Sequence, residues 1–162
     1  MSQTSARIIQ PAPVRKTLTV SATPERAFEV FTAGFDRWWP RSHTIGKGAL
    51  KEAVLEPRAG GRWYGIDDDG SETDWGDVLI WDPPGRLVLA WRIGADWQYR
   101  ADLLTEVEVR FTREGTSSTR VDFEHRHLER MGDAAATARD SLDSPGGWGG
   151  ILQRYADVVR VG

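Results

Sequence analysis

The last segment of the chain, Gly146 to Val161, constrains most strongly what this protein can fold into. It reads GGWGGILQRYADVVRV, and its apolar residues recur at steps of three and four. That spacing places one set of side chains on a single stripe of an α-helix: Trp148, Ile151, Leu152, Tyr155, Val158 and Val159. Ser144 is predicted as the N-cap and Pro145 as the first helical residue. Because a helix of this length is marginal alone in water, its stripe must be covered, and the upstream chain predicts a sheet that covers it.

Length and composition indicate one globular domain. At 162 residues the chain can bury a sizeable core, and we expect a single domain over residues 14–162 after a flexible tail at 1–13. The sequence has no cysteine, which excludes disulfides, thiolate catalysis and cysteine-ligated zinc or iron–sulfur centres. A net charge of −3 gives no basic surface of the kind that nucleic-acid binding needs.

Hydropathy predicts neither an export signal nor a membrane span. Residues 1–13 lack the apolar stretch of a secretory signal. The longest clean apolar run, Leu87–Trp91, is far too short to cross a bilayer. A cytoplasmic protein is therefore expected.

Periodicity and turn signals predict a strand, two helices, six strands and two further helices. The first helix opens at Thr23-Pro24-Glu25, and a short second helix is stopped by Pro40. The later elements are predicted as strands over 51–56, 62–66, 73–81, 86–93, 106–111 and 120–125, and helices over 131–142 and 146–161. Strands grouped between helices are typical of an α+β domain with an antiparallel sheet. Because adjacent helical residues point in different directions, at most one of Trp38 and Trp39 is expected to enter the core.

The last two predicted strands each have one polar and one apolar face. Val121 and Phe123 point inward, and His125 continues that series. Opposite charges on the outward positions can pair across the two strands. The pattern leaves two alternatives open: the sheet closes tightly on the last helix, or it arches over the helix and leaves a cavity.

Seven stretches of the chain resemble the START-like superfamily of helix-grip domains, also called SRPBCC. They are TVSATPERAFEVFT, FDRWWPRSH, PRAGGRWY, DWGDVLIWDPPGRLVLAW, TEVEVRF, TRVDFEHRHLERMG and GGWGGILQRYA, and the resemblance covers about Val14 to Val159. Within the superfamily, the chain is similar to the branch named after the heat-shock-protein-90 ATPase activator. Each stretch alone is weakly specific, whereas the whole set in this order is strongly specific.

The resemblance implies a helix-grip fold, in which an antiparallel sheet of about seven strands wraps around a long C-terminal helix, with two short helices after the first strand. It also implies a cavity between sheet and helix that commonly holds a hydrophobic small molecule. Close relatives often carry an acidic residue after the GGRWY-type motif, where this chain has Gly65. If that carboxylate shapes the polar end of the ligand, this chain takes a different ligand. The branch is functionally mixed, so the activator's role is not transferred on fold alone.

Eight tryptophans make either a tryptophan-rich core or an aromatic-lined cavity. The candidate ligand-binding residues are mostly large apolar side chains on the predicted inner faces: Trp38, Trp39, Trp63, Trp91, Phe111, Phe123, His125, Trp148, Leu152 and Tyr155. Trp148 is the strongest of them because it lies at the mouth end of the closing helix. A neutral His125 could orient a ligand or act as acid or base, and the alternative is a core histidine bonded to a neighbour.

Two patterns that are compatible with a metal ion favour simpler explanations. The pair His125-x-His127 could chelate a metal, but a third ligand such as His43 would have to come from a distant loop. The run Asp67-Asp68-Asp69-Gly70 lacks the carboxylates that a calcium loop requires at its first and twelfth positions, and a solvated hairpin turn is predicted instead. No metal site and no cofactor are predicted.

The glycines at 146–150 are also not predicted to bind a dinucleotide. They do not follow a strand in a βαβ unit, and the third glycine of the fingerprint is missing. Gly149 and Gly150 each cost about 1 kcal/mol relative to alanine in a helix interior. That cost predicts close packing of a strand or a ligand against the helix backbone.

Three functional hypotheses follow from these observations. The first is binding of a small hydrophobic molecule, aromatic or lipid-like, in the cavity between the sheet and the C-terminal helix. The second is an enzyme in the same cavity, such as a cyclase, dehydratase or hydrolase, with His125 as acid–base. The third is a co-chaperone or stress-response protein that uses its outer surface. The expected partner is a small molecule, not nucleic acid or a membrane, and the expected assembly is a monomer or homodimer.

Overall fold

The computed structural model describes residues 11–161, so residues 1–10 of the predicted tail lie outside the described part of the chain. The strands are β1 Val14–Val20, β2 Leu50–Leu55, β3 Arg62–Asp67, β4 Glu72–Asp82, β5 Arg86–Trp91, β6 Thr105–Gly115 and β7 Ser118–Arg126; the helices are α1 Pro24–Thr32, α2 Phe35–Trp38, α3 Ala135–Asp143 and α4 Gly150–Val161. The seven strands form one antiparallel sheet in the order β1-β7-β6-β5-β4-β3-β2. The α+β helix-grip prediction is confirmed.

Helix α4 is held against the sheet by the stripe that its sequence predicts. Ile151, Leu152, Tyr155 and Val159 are buried in the main hydrophobic core. The hydroxyl of Tyr155 donates to the carbonyl oxygen of Ala27 in α1 over 2.7 Å. This bond joins the last helix to the first and fixes α4 along the sheet's concave side.

The start of the closing helix differs from the prediction. A wide π-type turn over Pro145–Gly149 precedes α4, and Ser144 does not cap it, because its hydroxyl donates to the carbonyl of Ser141 over 2.7 Å. Glycine at Gly150 is required because a Cβ there would overlap the carbonyl oxygen of Pro145. The expectation that a strand or ligand approaches these glycines is therefore wrong at Gly150, where the close neighbour is the turn's own backbone.

The predicted helix over 131–142 is also divided in two. A 3-10 segment, Leu128–Ala134, is interrupted at Gly132, whose φ is 87°. Helix α3 then runs from Ala135 and buries a narrow face of Ala135, Ala138 and Leu142. The left-handed backbone at Gly132, which glycine adopts readily, is what separates the two pieces.

Both adjacent tryptophans enter the core, so the expectation of at most one was wrong. Trp38 ends α2, whereas Trp39 lies outside the helix with an extended backbone (φ −69°, ψ 126°). The argument from helical geometry therefore does not apply to Trp39. Its indole N–H donates to the carbonyl of His43 over 2.8 Å, which pins the following loop against the core.

A buried aspartate anchors the same loop, residues 41–49, from the other side. The Oδ2 atom of Asp67 accepts a hydrogen bond from the backbone N–H of Gly48 over 3.2 Å. Asp67 is buried, whereas the rest of the predicted hairpin turn, Asp68 to Gly70, is exposed. The 41–49 loop is consequently attached to the core at both ends, through Trp39 at its start and Asp67 at its end.

The outer face of the sheet carries the charge pairs that alternation predicts. Arg126 of β7 bonds to Glu106 and Glu108 of β6, over 2.9 and 2.5 Å. Burial raises the pKa of Glu108, but hydrogen bonds from Arg126 and Arg86 outweigh it and lower that pKa below its ordinary value.

No helix within residues 11–161 is both long and apolar enough to cross a membrane.

Candidate ligand cavity

A cavity of about 260 Å³ lies between the concave side of the sheet and the segment that leads into α4. Its wall combines the 41–49 loop, strands β4 and β5, the end of α3 and the turn before α4. The lining residues are Trp39, Ser42, His43, Thr44, Ile45, Trp75, Trp91, Ile93, Trp97, Ser141, Leu142, Gly146, Gly147, Trp148 and Ile151. The sheet therefore arches over the helix and leaves room, rather than closing tightly on it.

Four buried tryptophans, Trp39, Trp75, Trp91 and Trp148, form most of the aromatic wall. The ring centroids of Trp39 and Trp75 are 5.4 Å apart, and those of Trp91 and Trp148 are 5.5 Å apart. Trp39 and Trp148 connect the two pairs over 5.9 Å. These distances are normal for interacting aromatic rings, so the wall is a packed and preformed surface.

A fifth tryptophan, Trp97, also lines the cavity. Trp97 is 46% exposed and has a left-handed backbone, with φ at 61°. Positive φ is uncommon for a bulky residue and marks a constrained turn. The turn is held by backbone hydrogen bonds from Trp97 to Gly94 and from Gly94 to Gln98, both over 2.9 Å. A partly exposed aromatic ring is thereby held beside the cavity.

His43 is the one imidazole that borders the cavity within residues 11–161. Its Nε2 lies 2.8 Å from the carbonyl oxygen of Gly146, and its Nδ1 lies 3.0 Å from the hydroxyl of Ser42. Because a carbonyl oxygen only accepts, Nε2 carries the proton, and in the neutral ring Nδ1 accepts from Ser42. His43 thus bridges the loop and the turn before α4, across one side of the cavity.

His125 is completely buried behind this wall and does not border the cavity. Trp148 donates its indole N–H to Nδ1 of His125 over 3.1 Å, which leaves the ring proton on Nε2. That proton bonds to the hydroxyl of Thr105 over 2.9 Å. Burial lowers the pKa of His125 to about 3, so the ring is neutral with both nitrogens bonded.

Two of the buried tryptophans have an indole N–H without a hydrogen-bond acceptor. Trp38, Trp39, Trp91 and Trp148 donate to protein acceptors over 2.8 to 3.1 Å. Across the described chain, Nε1 of Trp63 and Nε1 of Trp75 have no acceptor. A buried donor without an acceptor costs about 1–3 kcal/mol. Of these two tryptophans, Trp75 lines the cavity.

Trp75 owes its position to a β-bulge. The pairing of β3 with β4 shifts from Trp63 opposite Gly76 to Tyr64 opposite Asp74, so Trp75 is the extra residue. A Cβ on Gly76 would overlap the carbonyl oxygen of Ala90, so the bulge requires glycine there. A Cβ on Gly65 would lie 2.7 Å from Cζ2 of Trp75. The Trp75 ring therefore fills the space beside Gly65, the position at which this sequence departs from the acidic residue expected of close relatives.

The structure places the ten predicted site residues in two groups. Trp39, Trp91 and Trp148 border the cavity, and their contact with a ligand remains a prediction. The others are buried in the core away from the cavity surface: Trp38, Trp63, Phe111, Phe123, His125, Leu152 and Tyr155. His125 nevertheless supports the wall, through its bond to Trp148.

Sequence reasoning missed most of the loop contribution and one wall tryptophan. Trp75 escaped because a bulge breaks the alternation from which inward positions are read. Gly76, a glycine inside a predicted strand, was the signal that could have revealed it. Ile45 and Trp97 lie in irregular segments, where periodicity gives no direction. Among residues 11–161, no cluster of three or more histidine, cysteine or acidic side chains could hold a metal.

Comparison with known proteins agrees with this architecture. The family model described as Activator of Hsp90 ATPase homolog 1-like protein matches residues 21–159. The chain belongs to this family. Comparison with curated proteins found no match.

Solved structures of this helix-grip type include two with substantial sequence similarity. An anthrahydroquino-gama-pyrone synthase, Txn09, determined in complex with SUM, is 43% identical, with 92% of this chain and 97% of that chain covered and a TM-score of 0.65. CalC from Micromonospora echinospora, a self-sacrificing resistance protein, is 37% identical, with 92% and 94% covered and a TM-score of 0.69.

A third solved structure supports the fold alone. The Aha1 dimer from Colwellia psychrerythraea is 16% identical, with 93% of this chain and 98% of that chain covered and a TM-score of 0.62. These three solved structures thus share one architecture with this chain, although their names differ in function.

Proposed function

We propose that this protein binds a small, flat, mostly apolar molecule in the cavity beside α4. The observation that carries the proposal is a preformed cavity of about 260 Å³ walled by Trp39, Trp75, Trp91 and Trp148. Ligand sites are typically concave and apolar with a few placed polar groups, and this one lies just below their usual range of about 300–1,000 Å³. A compact ligand is therefore favoured over a long acyl chain.

The shape of the wall favours an aromatic ligand. Indole faces offer flat apolar surfaces against which a planar ring system stacks with centroids about 4.5–7 Å away. Burial of apolar surface contributes roughly 25 cal/mol per Å², which is the main driving force for such a ligand. The polar side chains at the cavity are few: Ser42, His43, Thr44 and Ser141.

The sequence relatives support a small-molecule function. One relative is an anthrahydroquino-gama-pyrone synthase and the other is a self-sacrificing resistance protein, and the matches cover almost all of this chain. By contrast, an outer-surface interaction role needs no interior space, so the cavity favours binding over that alternative.

The experiment uses anthracene-2-sulfonate, a soluble planar probe, titrated by isothermal calorimetry. The wild-type chain should bind one equivalent. Ile45→Trp places a large ring in the cavity from the loop and should abolish binding. Val158→Trp adds the same ring at a partly buried position of α4 that does not line the cavity, and it should bind like wild type. Equal binding by both variants would contradict the proposal.

A second candidate function is catalysis in the same cavity, favoured by the 43% identity to a synthase and by His43. His43 pairs with Ser42 on one nitrogen and with the Gly146 carbonyl on the other. A histidine in this position can accept or donate a proton to a bound molecule. His125 is unsuited to that role because it is completely buried, does not border the cavity and has a pKa lowered to about 3.

Mass spectrometry of protein purified without denaturant tests this second function. Any co-purified compound is extracted, identified and returned to fresh protein in D₂O. The wild-type protein should change the mass or the deuterium content of the compound, whereas His43→Gln should bind the compound and leave it chemically unaltered. Recovery of an unaltered compound from both proteins would leave binding as the function and exclude catalysis of that compound.

A further inference from the structure

Trp97 is the one tryptophan of the described chain that packs against no other aromatic ring. The other seven each contact a neighbouring ring, with centroids 4.8 to 5.9 Å apart: Trp38, Trp39, Trp63, Trp75, Trp81, Trp91 and Trp148. Trp97 is also the most exposed of the eight, at 46%, and it lies outside the main hydrophobic core. Packing of the core therefore does not explain why this position carries an indole.

The backbone at Trp97 is strained. Its φ of 61° lies in the left-handed region, which glycine, asparagine and aspartate adopt far more readily than a bulky side chain. Asp96 holds the turn in this shape, because its carboxylate accepts hydrogen bonds from the backbone N–H of Gln98 over 3.2 Å and from the guanidinium of Arg100. Strain that the surroundings impose in this way is typical of ligand clamps. The turn thus holds an indole beside the cavity at a cost in conformational energy.

A molecule in the cavity can reach the side chain of Trp97. Trp97 borders the cavity, together with Ile93 from the base of the same loop. A molecule that occupies the cavity therefore covers part of the indole surface that now faces water. Covering this apolar surface favours binding, and an aromatic partner adds the attraction between two rings. Tyr99, two residues further along the loop, is 39% exposed but does not border the cavity.

We propose that Trp97 covers the bound molecule and selects ligands with an aromatic ring system over saturated ligands of the same carbon skeleton. This inference rests on the proposed binding function and adds to it the residue that sets its specificity. The buried tryptophans Trp39, Trp75, Trp91 and Trp148 pack against one another and form a fixed wall. Trp97 supplies the one cavity tryptophan without an aromatic partner in the described chain, so its ring is available to the ligand.

The test compares anthracene-2-sulfonate with its fully hydrogenated analogue by isothermal calorimetry. Trp97→Leu keeps an apolar side chain but removes the ring. It should weaken binding of the aromatic probe about three- to tenfold, the range expected for one aromatic pair, and leave binding of the saturated probe nearly unchanged. Tyr99→Leu, the matched control on an exposed aromatic residue of the same loop outside the cavity, should bind both probes like wild type.

Nuclear magnetic resonance of the wild-type protein gives a second readout that needs no variant. A soluble gadolinium chelate should broaden the ring-proton signals of Trp97 and Tyr99 in the free protein, and bound anthracene-2-sulfonate should protect those of Trp97 alone. Equal binding of the aromatic probe by wild type and Trp97→Leu, or unprotected Trp97 signals, would overturn this inference while the proposed function stands. Equal losses for both probes in Trp97→Leu would overturn it too, because the ring would then confer no selectivity. If neither probe binds the wild-type chain, the proposed function falls and this inference falls with it.

Discussion

The indole N–H of Trp148 donates to Nδ1 of His125 over 3.1 Å, with both side chains buried. One residue lies in the turn before α4 and the other in β7, so the bond ties the C-terminal segment to the sheet. The two residues have different roles. Trp148 presents its ring to the cavity, whereas His125 holds that ring in place from behind.

Stability should depend on pH through His125. Burial lowers its pKa to about 3 in the folded chain, from an ordinary value of 6.5. Below pH 6.5 the unfolded chain takes up a proton that the folded chain refuses, so stability falls as pH falls toward 3. The slope is about 1.4 kcal/mol per pH unit.

Urea unfolding of wild type and His125→Gln between pH 7.5 and 5 measures this effect. The difference in unfolding free energy between the two proteins should change by the stated slope below pH 6.5 and stay flat above it. In wild type, the ring C–H resonances of His125 should not titrate over the same range. A constant difference together with a titrating ring would disprove the sealed, neutral histidine.

Replacing Trp148 with phenylalanine should destabilise the protein. Trp148→Phe removes the donor and leaves Nδ1 of His125 buried without a partner, at a cost of about 1–3 kcal/mol. Trp97→Phe is the control, since Trp97 also lines the cavity but is 46% exposed. Chemical denaturation should show at most about 0.5 kcal/mol for the control. Similar losses in the two variants would mean that ring size, and not the hydrogen bond, matters.

The architecture was largely predictable from the sequence, whereas the composition of the cavity wall was only partly so. The α4 stripe and the inward series ending at His125 follow from local periodicity, which sequence expresses directly. The partnership of His125 with Trp148 does not, because it joins residues 23 positions apart through tertiary packing. Trp75 was hidden by a bulge. Trp39 was predicted as a wall residue, but its burial together with Trp38 was not, because the backbone after α2 is extended.

Adding a methyl group at Gly65 should be costly. A Cβ there would lie 2.7 Å from Cζ2 of Trp75 and 2.9 Å from Cδ1 of Leu50, both closer than normal packing allows. We expect Gly65→Ala to lose about 1–3 kcal/mol of stability, the usual cost of overpacking. Gly85→Ala, where the new Cβ meets nothing within 4 Å, is the matched control.

A smaller side chain at Trp75 should offset the loss of stability caused by Gly65→Ala. In a double-mutant cycle, Trp75→Leu combined with Gly65→Ala should be less destabilised than the sum of the single changes, because the smaller side chain vacates the space. Strict additivity, or a Gly65→Ala protein as stable as Gly85→Ala, would show that Trp75 does not occupy the position beside Gly65.

Removing one hydroxyl should loosen the attachment of α4. Tyr155→Phe deletes the 2.7 Å bond to the carbonyl of Ala27 in α1. A loss of about 0.5–1.5 kcal/mol, the net contribution of one hydrogen bond, is expected in thermal or chemical unfolding. Tyr99→Phe, on the 39% exposed Tyr99, should be nearly neutral. An equally small effect at both tyrosines would contradict the role of this bond.

The most direct test of ligand binding in the cavity beside α4 is to locate a bound probe by intermolecular nuclear Overhauser effects. With anthracene-2-sulfonate bound, protons of the probe should show contacts to the indole rings of Trp39, Trp91 and Trp148. They should show none to Trp81, which lines a separate groove with Pro83 and Pro84. Contacts to Trp81 alone, or a probe that touches none of the four tryptophans, would contradict the cavity as the binding site.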